Sequence, residues 1–494
     1  MNRQTNIRSL LCTLIAGLSA LISCGQGEIQ IKSTLNEEIS IFPDYKEVTI
    51  PLNIAPLNFS MEDSSDYCLV LKGKENQFQV RSKKGLFDIP QRKWKTLLSE
   101  NAGGEIELTV AKKMEDGWHA YTPFHMEVAK DSISPYLAYR LILSNAMWNR
   151  MGIYQRNLEN YDESPIFENS LSEYNCMNCH TFQSRDPDKL FFHMRGGING
   201  SVLIDEGKIT KLNTKTPETT SNFVYIYWHP SGDYMAATVC KTLQNVFINN
   251  HNIVEIQDED SDIVIYDFKK NEIFTCDALK SDDTWHIYPA FSADGKSLYY
   301  CTTAAVDTTL INFQQTTYSL CRIDFDPETG TLGQQVDTLY NGCLNQKSVS
   351  FPRVSPDGKY LAFTLQEYGA FGVWHKDADL YMVRLADGEI YPLTDANSPD
   401  NGDSYHSWSG NSHWLVYSSR RVDGVTTRPY FTYIDDEGVA HKPFLLPQKN
   451  PKKYYQDLLM AYNVPEFIEG KVQLDKHAVL VTMRDTKGTQ VQVR

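Results

Sequence analysis

A short phrase that recurs along the chain constrains its fold more than any other feature of the sequence. The clearest copy is FPRVSPDGKYLAF at residues 351–363, and related copies stand at 288–300, 227–237, 405–417 and, in degenerate form, 184–192. Asp-Gly and Gly-Asn suit the backbone of a tight turn, and the alternating apolar residues that follow are typical of a strand. The phrase therefore predicts a strand–turn–strand unit that repeats along the chain.

The spacing of the copies indicates the size of the repeated unit. Their turns fall at Pro187, Pro230, Ala293, Pro356 and Gly410, so the intervals are 43, 63, 63 and 54 residues. A four-stranded propeller blade needs about 40 to 50 residues, and the longer intervals therefore predict loop insertions. The phrase resembles the repeat of TolB-like β-propellers. This resemblance implies a six-bladed propeller in which terminal strands complete the blade that lacks a phrase.

The residues before the repeats predict a different architecture. Short alternating segments over residues 24–130 predict a small β-sandwich. Ser134 and Pro135 provide a helix N-cap and a first-turn proline, and apolar residues follow at helical spacing, so residues 131–175 are expected to form a helical connector. The predicted fold is thus all-β: a sandwich and a connector, followed by a propeller over residues 176–494.

The N-terminus predicts export. Arg3 and Arg8 flank the start of an apolar stretch, residues 9–22, which is too short to span a membrane as a permanent helix. The stretch ends in Leu-Ile-Ser-Cys at Cys24, which resembles the lipobox of bacterial lipoproteins. The resemblance implies that residues 1–23 are a signal peptide and that Cys24 is lipidated. The alternative is an ordinary signal peptide with an incidental cysteine.

A lipoprotein of this kind is expected in the cell envelope, where the acyl chains hold a folded domain at a membrane surface. Gly25 follows the cysteine instead of Asp, which for lipoproteins of Gram-negative bacteria implies the outer membrane. The chain has 47 basic and 62 acidic residues and a net charge of −15, so nucleic acid is not an expected partner. The sequence shows no recognisable hydrolase triad, Walker loop or dinucleotide fingerprint, and whether the protein is an enzyme stays open.

Residues 176–180 read Cys-Met-Asn-Cys-His, which is the attachment sequence of c-type haem. In that chemistry the thiols of Cys176 and Cys179 add to the two vinyl groups of the porphyrin, and His180 becomes an axial ligand of the haem iron. Three alternatives stay open: a Cys176–Cys179 disulfide, a zinc site and a purely structural cysteine pair. His193 and Met194 follow closely and are the candidates for the second axial ligand, although both are also compatible with ordinary core and surface positions.

A second group of candidate residues comes from equivalent places in the repeats, just before or after the phrase. These residues are His229, His286, Arg353, His406 and Arg421. If the phrases surround a central channel, such side chains meet at its mouth and bind an anion, a carboxylate-bearing partner or a metal. The alternative is that they are polar loop residues that bridge neighbouring blades.

Two functions are compatible with these observations. The first is a haem-bearing protein of electron transfer, and the second is a non-catalytic scaffold that binds a protein, peptide or glycan partner at the propeller face. An enzyme that uses the channel-mouth residues is a weaker third reading.

Overall fold

The structure is a computed structural model and describes residues 28–144, 149–246, 252, 254–306, 313–485 and 487–494. The predicted signal peptide and Cys24 lie outside the described residues. None of the helices in the described ranges is long and apolar enough to cross a membrane.

Two sheets build the N-terminal part, where the sequence predicts a sandwich. One sheet has seven strands and the other has three. The Phe59 ring of the small sheet contacts the Phe124 ring of the large sheet, with the ring centroids 6.2 Å apart. The elements of this part are β1 Ile31–Thr34, β2 Ile41–Phe42, β3 Val48–Ile50, β4 Phe59–Met61, β5 Tyr67–Lys72, β6 Gln77–Arg81, β7 Leu86–Phe87, α1 Gln91–Glu100, β8 Gly104–Met114, β9 Gly117–Ala120 and β10 Phe124–Val128.

The rest of the described chain forms six antiparallel sheets that follow one another as the blades of a propeller. Blade 1 contains β11 Tyr136–Leu143, β12 Met151–Asn157 and β13 Glu163–Glu168, and blade 2 contains β14 Cys176–Phe182, β15 Lys189–Arg195, β16 Gly200–Asp205 and β17 Lys208–Asn213. Blade 3 contains β18 Val224–Trp228, β19 Tyr234–Val246, β20 Val254–Asp267 and β21 Glu272–Phe274, and blade 4 contains β22 Thr284–Phe291, β23 Ser297–Ala304, β24 Ser319–Asp326 and β25 Thr331–Tyr340.

Helix α2 Gly342–Asn345 leads into blade 5, which contains β26 Ser348–Val354, β27 Tyr360–Gln366, β28 Asp379–Arg384 and β29 Glu389–Pro392. Blade 6 contains β30 Asp403–Trp408, β31 Trp414–Ser419, β32 Arg428–Tyr433 and β33 Phe444–Leu445. The chain ends with α3 Pro451–Gln456, β34 Met460–Ile468, α4 Lys476–Arg484, β35 Thr489–Gln490 and β36 Gln492–Val493. The first phrase strands of the sequence are the innermost strands of these blades, so the predicted all-β propeller is confirmed.

A C-terminal strand closes the ring of blades. Strand β34 pairs antiparallel with β11 and becomes the innermost strand of blade 1. It also contacts β30 of blade 6, so the first and last blades are joined through one strand. The expectation that terminal strands complete a blade is therefore confirmed. Strands β35 and β36 add short parallel edges to blades 2 and 3.

The predicted helical connector is wrong. Residues Tyr136–Leu143 form strand β11, and residues 131–175 supply three strands of blade 1 in place of a helix. The apolar residues of β11 follow a helix-like spacing because both faces of this strand are covered, so that Leu137, Ala138 and Tyr139 are buried in succession. A short apolar run buried on two faces cannot be told from a helix by its period.

Candidate functional site

Every innermost strand bends at the same place. Its pairing with the next strand slips at a β-bulge, and the bulged residue has a left-handed backbone with φ between 47° and 57°. Such a conformation is uncommon for residues other than glycine and persists only where the surrounding structure imposes it. The six bulged residues are Cys179, Tyr225, Tyr288, Phe351, Tyr405 and Val464.

Four of these residues form a chain of aromatic contacts around the channel. The ring centroids of Tyr225 and Tyr288 are 4.7 Å apart, those of Tyr288 and Phe351 are 5.2 Å apart, and those of Phe351 and Tyr405 are 4.8 Å apart. All three pairs meet edge to face, the favoured geometry for aromatic rings. Cys179 and Val464 are small, so they leave space beside the rings.

The channel therefore holds two cavities that meet near these residues. The turn-side cavity lies where the innermost strands enter the Asp-Gly turns, has a volume of about 200 Å³, and is lined by His180, Arg353, His406 and Glu466 among others. The hairpin-side cavity lies at the opposite ends of the strands, under the long hairpin β19–β20, and has a volume of about 130 Å³.

Glu466 is the one carboxylate among the described residues that line the turn-side cavity. It stands on β34, two residues after the bulge, and accepts hydrogen bonds from the Phe182 amide at 3.0 Å and from the Thr181 hydroxyl at 3.4 Å. It makes no ion pair with any described residue. Burial raises the pKa of Glu466 to about 7. The Phe182 amide, the Arg353 guanidinium and the Thr181 hydroxyl act in the opposite direction, because they favour the charged carboxylate.

Two imidazoles face the same cavity without full hydrogen bonding. Nε2 of His180 is buried without a partner among the described residues, and the buried ring nitrogens of His406 lack a well-aligned one there, although the Ala362 backbone lies close to the ring. Burial lowers the pKa of each histidine to about 3, so both rings are neutral at physiological pH. Buried polar atoms without a partner are rare in folded proteins, and they mark places where water or a ligand binds.

The Arg353 side chain lines both cavities. Its guanidinium lies over the Phe351 ring at 3.9 Å and over the Tyr227 ring at 5.2 Å, and it donates to the Pro352 carbonyl at 2.8 Å. It too is not ion-paired with any described residue. Aromatic faces hold an arginine in place without neutralising its charge.

The Cys-Met-Asn-Cys-His sequence is the innermost strand of blade 2, and not an exposed loop or helix. Cys176 and Cys179 are buried free thiols that face the hairpin-side cavity, and burial raises the pKa of each. Residues 176–178 pair regularly with β15, so at about 3.3 Å per residue the Cα atoms of the two cysteines are about 10 Å apart. A disulfide requires at most about 7 Å, so it would need a movement of the backbone.

A c-type haem does not fit this arrangement. His180 and Cys176 are both only 3% exposed, and the hairpin-side cavity of about 130 Å³ is smaller than the roughly 300 Å³ at which pockets for drug-sized ligands begin. No group of three or more His, Cys, Asp and Glu side chains in the described part of the chain is placed to hold a metal ion. Haem attachment stays a prediction from the sequence, and the proposals below do not use it.

The two candidate axial ligands lie away from the channel. Met194 is fully buried in the core between blades 1 and 2, in the same cluster as Cys176. His193 is also buried, and its Nδ1 lies 3.1 Å from the Ser201 hydroxyl. Neither side chain is among those that line the two channel cavities. As the alternation of a strand requires, they point to opposite faces.

Of the predicted channel-mouth residues, Arg353 and His406 meet in the turn-side cavity and the other three do not. His229 bridges blades 3 and 4, with Nε2 at 3.0 Å from the Gly295 carbonyl. His286 is buried beside Tyr300. Arg421 pairs with Asp403 at 3.1 Å within blade 6. The prediction that these residues share one cavity is therefore wrong for His229, His286 and Arg421.

The sequence analysis missed three residues of the channel: Glu466, Arg140 and Arg195. Glu466 had a visible signal, because AYNVPEF at residues 461–467 matches the start of the repeat in HIYPAF and VSFPRV, with a proline after the bulged residue. The match lacks the Asp-Gly turn that identified the other copies. Arg140 and Arg195 had no such signal in the sequence, since Arg140 lies in the segment assigned to a helix and Arg195 follows the candidate axial ligands of the haem.

No family model matches this sequence, and no curated protein resembles it. Among solved structures, TolB from Acinetobacter baumannii is similar with a TM-score of 0.43 and 13% identity, over 76% of this chain and 85% of that chain. The β-propeller domain of the Trilobed protease from Pyrococcus furiosus is similar with a TM-score of 0.33 and 13% identity, over 82% of this chain and 97% of that chain. An oligogalacturonate lyase in complex with manganese is similar with a TM-score of 0.36 and 13% identity, over 62% of this chain and 72% of that chain. All three TM-scores are below 0.5, and the propeller assignment rests on the sheet order of this chain itself.

Proposed function

We propose that this protein is a non-catalytic binding scaffold of the cell envelope, held at a membrane by a lipid on Cys24, which takes a peptide segment of a protein partner into the turn-side cavity. The observation that carries the proposal is the convergence of Glu466, Arg353, His406 and His180. They come from blades 1, 5, 6 and 2, and none of them is ion-paired within the described chain. Polar and charged groups that converge in a cavity without ion pairs among themselves are typical of a ligand site.

The two imidazoles of the cavity favour binding over catalysis. Imidazoles with a pKa of about 3 are poor general bases at neutral pH. Glu466 offers an acceptor, and the Arg353 guanidinium offers donors. His180 offers its Nε2 atom, and the His406 ring is a further polar group, which together suit the amide groups and polar side chains of a peptide. A volume of about 200 Å³ has room for one or two side chains. The net charge of −15 favours a basic partner through long-range attraction.

A photo-crosslinking amino acid at Ala293, which lines the turn-side cavity, tests the proposal in the native cell. We expect one discrete protein adduct, which the combined substitutions Glu466→Gln and His406→Phe abolish. Glu437→Gln, at an exposed position outside the cavity, is the matched control and retains the adduct. The same crosslinker at Leu344, which is 82% exposed, reports non-specific neighbours.

The absence of a discrete adduct at Ala293, or an adduct that survives the loss of Glu466 and His406, contradicts the proposal. Binding of a soluble glycan that depends on the same two residues, without a protein adduct, identifies a glycan as the partner instead. Electron transfer through haem is the alternative that the Cys-x-x-Cys-His sequence favours, and the haem stain described in the Discussion tests it separately.

A further inference from the structure

The hairpin-side cavity has an unusual charge. Arg140, Arg195 and Arg353 line it, and no carboxylate stands among the described residues around it. Guanidinium groups stay protonated in proteins, so this space carries three positive charges. The chain as a whole has 15 more acidic than basic residues, so such an excess of cations in one partly enclosed space does not reflect the composition.

The partners of the first arginine are amides and not acids. Arg140 stands on β11 and donates to the side-chain oxygen of Asn178. When the Asn463 amide is oriented so that its nitrogen donates to Thr427 and to the Tyr462 carbonyl, its oxygen accepts from Arg140 Nη2 at 3.0 Å. Nε of Arg140 is buried without a partner among the described residues. These contacts orient the guanidinium but leave its charge uncompensated.

The side chain of the second arginine, Arg195, has fewer polar partners than that of Arg140. Arg195 ends β15, and its half-buried side chain makes no hydrogen bond or ion pair with any described residue. Its neighbours are the thiols of Cys176 and Cys179 and the Tyr225 phenol. Burial raises the pKa of both thiols, which are therefore neutral at physiological pH and do not balance the guanidinium.

Two arginines of blade 6, in contrast, have acidic partners within the chain. Arg421 pairs with Asp403 at 3.1 Å, and Arg428 pairs with Asp423 at 2.8 Å. Removing a guanidinium from water without a counter-charge costs several kcal/mol, which is why most buried arginines have an acidic partner. Arg156 and Arg420 are also buried without an ion pair in the described chain, so the distinctive feature of Arg140 and Arg195 is that they share one cavity with Arg353. Three guanidinium groups that converge without a carboxylate indicate an anionic partner from outside the chain.

The remaining walls indicate what kind of anion fits. Phe371, Val373 and Trp374, from the segment after β27, and Ile256, from the hairpin, give the cavity an apolar side. A volume of about 130 Å³ admits a molecule of modest size, since one water needs about 10–15 Å³ on the same measure. Planar guanidinium groups bind carboxylates through paired hydrogen bonds. We infer that the hairpin-side cavity is a binding site for a small organic carboxylate, with its charged group at Arg140 and Arg195 and its apolar part against Trp374.

The site also has a cover. Thr242, Gln244 and Ile256 of the hairpin line the cavity, and the hairpin is fixed to blade 5 by a buried polar contact. The Glu255 carboxylate accepts from the Tyr368 hydroxyl at 2.6 Å and lies 3.2 Å from His375 Nε2. The ligand therefore enters when this contact opens or through the gap beside Cys179 and Val464.

Crystals of the protein soaked in sodium iodide test the anion site, and 4-bromobenzoate tests the class of ligand. We expect anomalous density for iodide in contact with Arg140 and Arg195, and density for 4-bromobenzoate with its carboxylate at the same place. In solution, 4-bromobenzoate is expected to bind at least about tenfold more tightly than the uncharged 4-bromobenzamide. Arg195→Gln should lose this difference, and Arg322→Gln, at an exposed ion-paired arginine, should keep it.

Each result decides a part of the inference. Iodide without 4-bromobenzoate shows an inorganic-anion site and overturns the carboxylate assignment. Neither ligand in the cavity, or equal binding of 4-bromobenzoate to wild type and Arg195→Gln, overturns the site. The inference does not rest on the proposed peptide partner, because Glu466 and His406 do not line this cavity. The two proposals are also tested with different variants, Arg195→Gln here and Glu466→Gln with His406→Phe for the peptide site.

Discussion

Glu466 makes the stability of the protein depend on pH in a direction that a single substitution reveals. Its carboxyl group faces the turn-side cavity on strand β34, without an ion pair in the described chain. Burial raises its pKa from the ordinary 4.5 to about 7. In Glu466→Gln the side-chain oxygen still accepts from the Phe182 amide, so the substitution removes the titration and keeps the shape.

The sign follows from proton binding. Between pH 4.5 and 7 the folded protein keeps the Glu466 proton that the unfolded chain releases, so the free energy of unfolding falls as the pH rises through this range. One pKa unit corresponds to about 1.4 kcal/mol, so the full loss above pH 7 is at most about 3 kcal/mol. Glu466→Gln should match wild type at pH 4.5 and be more stable at pH 8, by up to about 3 kcal/mol.

Urea unfolding at several pH values between 4.5 and 8 measures this effect. Asp258, Asp262 and Asp379 also have pKa values raised by burial, to about 7, 6 and 6, and they lower the stability of both proteins in the same range. The difference between wild type and Glu466→Gln isolates the one carboxyl group. A difference that does not change with pH would refute the reasoning, and a variant that is less stable at pH 8 would show that Arg353 neutralises Glu466 in solution.

Three further outcomes can be measured. Haem staining of a denaturing gel should show no band for wild type, since both thiols are packed inside the propeller; a band that disappears in Cys176→Ala with Cys179→Ala would establish covalent haem. Labelling with a fatty acid should tag wild type and spare Cys24→Ala, and equal labelling would exclude a lipid on that residue. Glu255→Gln should loosen the hairpin and speed the reaction of Cys179 with N-ethylmaleimide, while the exposed thiol of Cys343 reacts unchanged; equal Cys179 rates would show that this contact does not cover the cavity.

The propeller was predictable because its signal is local. An Asp-Gly turn followed by a strand needs only a dozen residues, as in the copy at 351–363, and the chain repeats it at intervals close to the size of a blade. Closure of the ring by terminal strands was implied by the resemblance to six-bladed TolB-like propellers, given five copies of the phrase. The first blade was missed because β11 is covered on both faces, by neighbours that lie far away in sequence, and its apolar spacing then imitates a helix.

The site was less predictable, because it depends on which blades meet across the channel. Arg353 and His406 were found from their place in the phrase, whereas His229 stands four residues beyond the equivalent bulge at Tyr225 and bridges two blades instead. Whether such a residue enters the channel is decided by the direction of its side chain after the bulge. The sequence carries no simple signal for that direction.

The Cys-x-x-Cys-His sequence gains a structural explanation from the same ring. In blades 3 to 6 the bulged residue is aromatic, and it is followed by Ile226, Pro289, Pro352 and His406. Cys179 and His180 occupy these two positions in blade 2, so the second cysteine and the histidine of the motif stand where the fold requires a left-handed residue and its successor. A cysteine there is small enough to leave the space that Arg195 faces, which an aromatic residue would fill. The Cys-x-x-Cys-His spacing thus coincides with the bulge of a blade strand, and the small Cys179 side chain lines the cavity beside it.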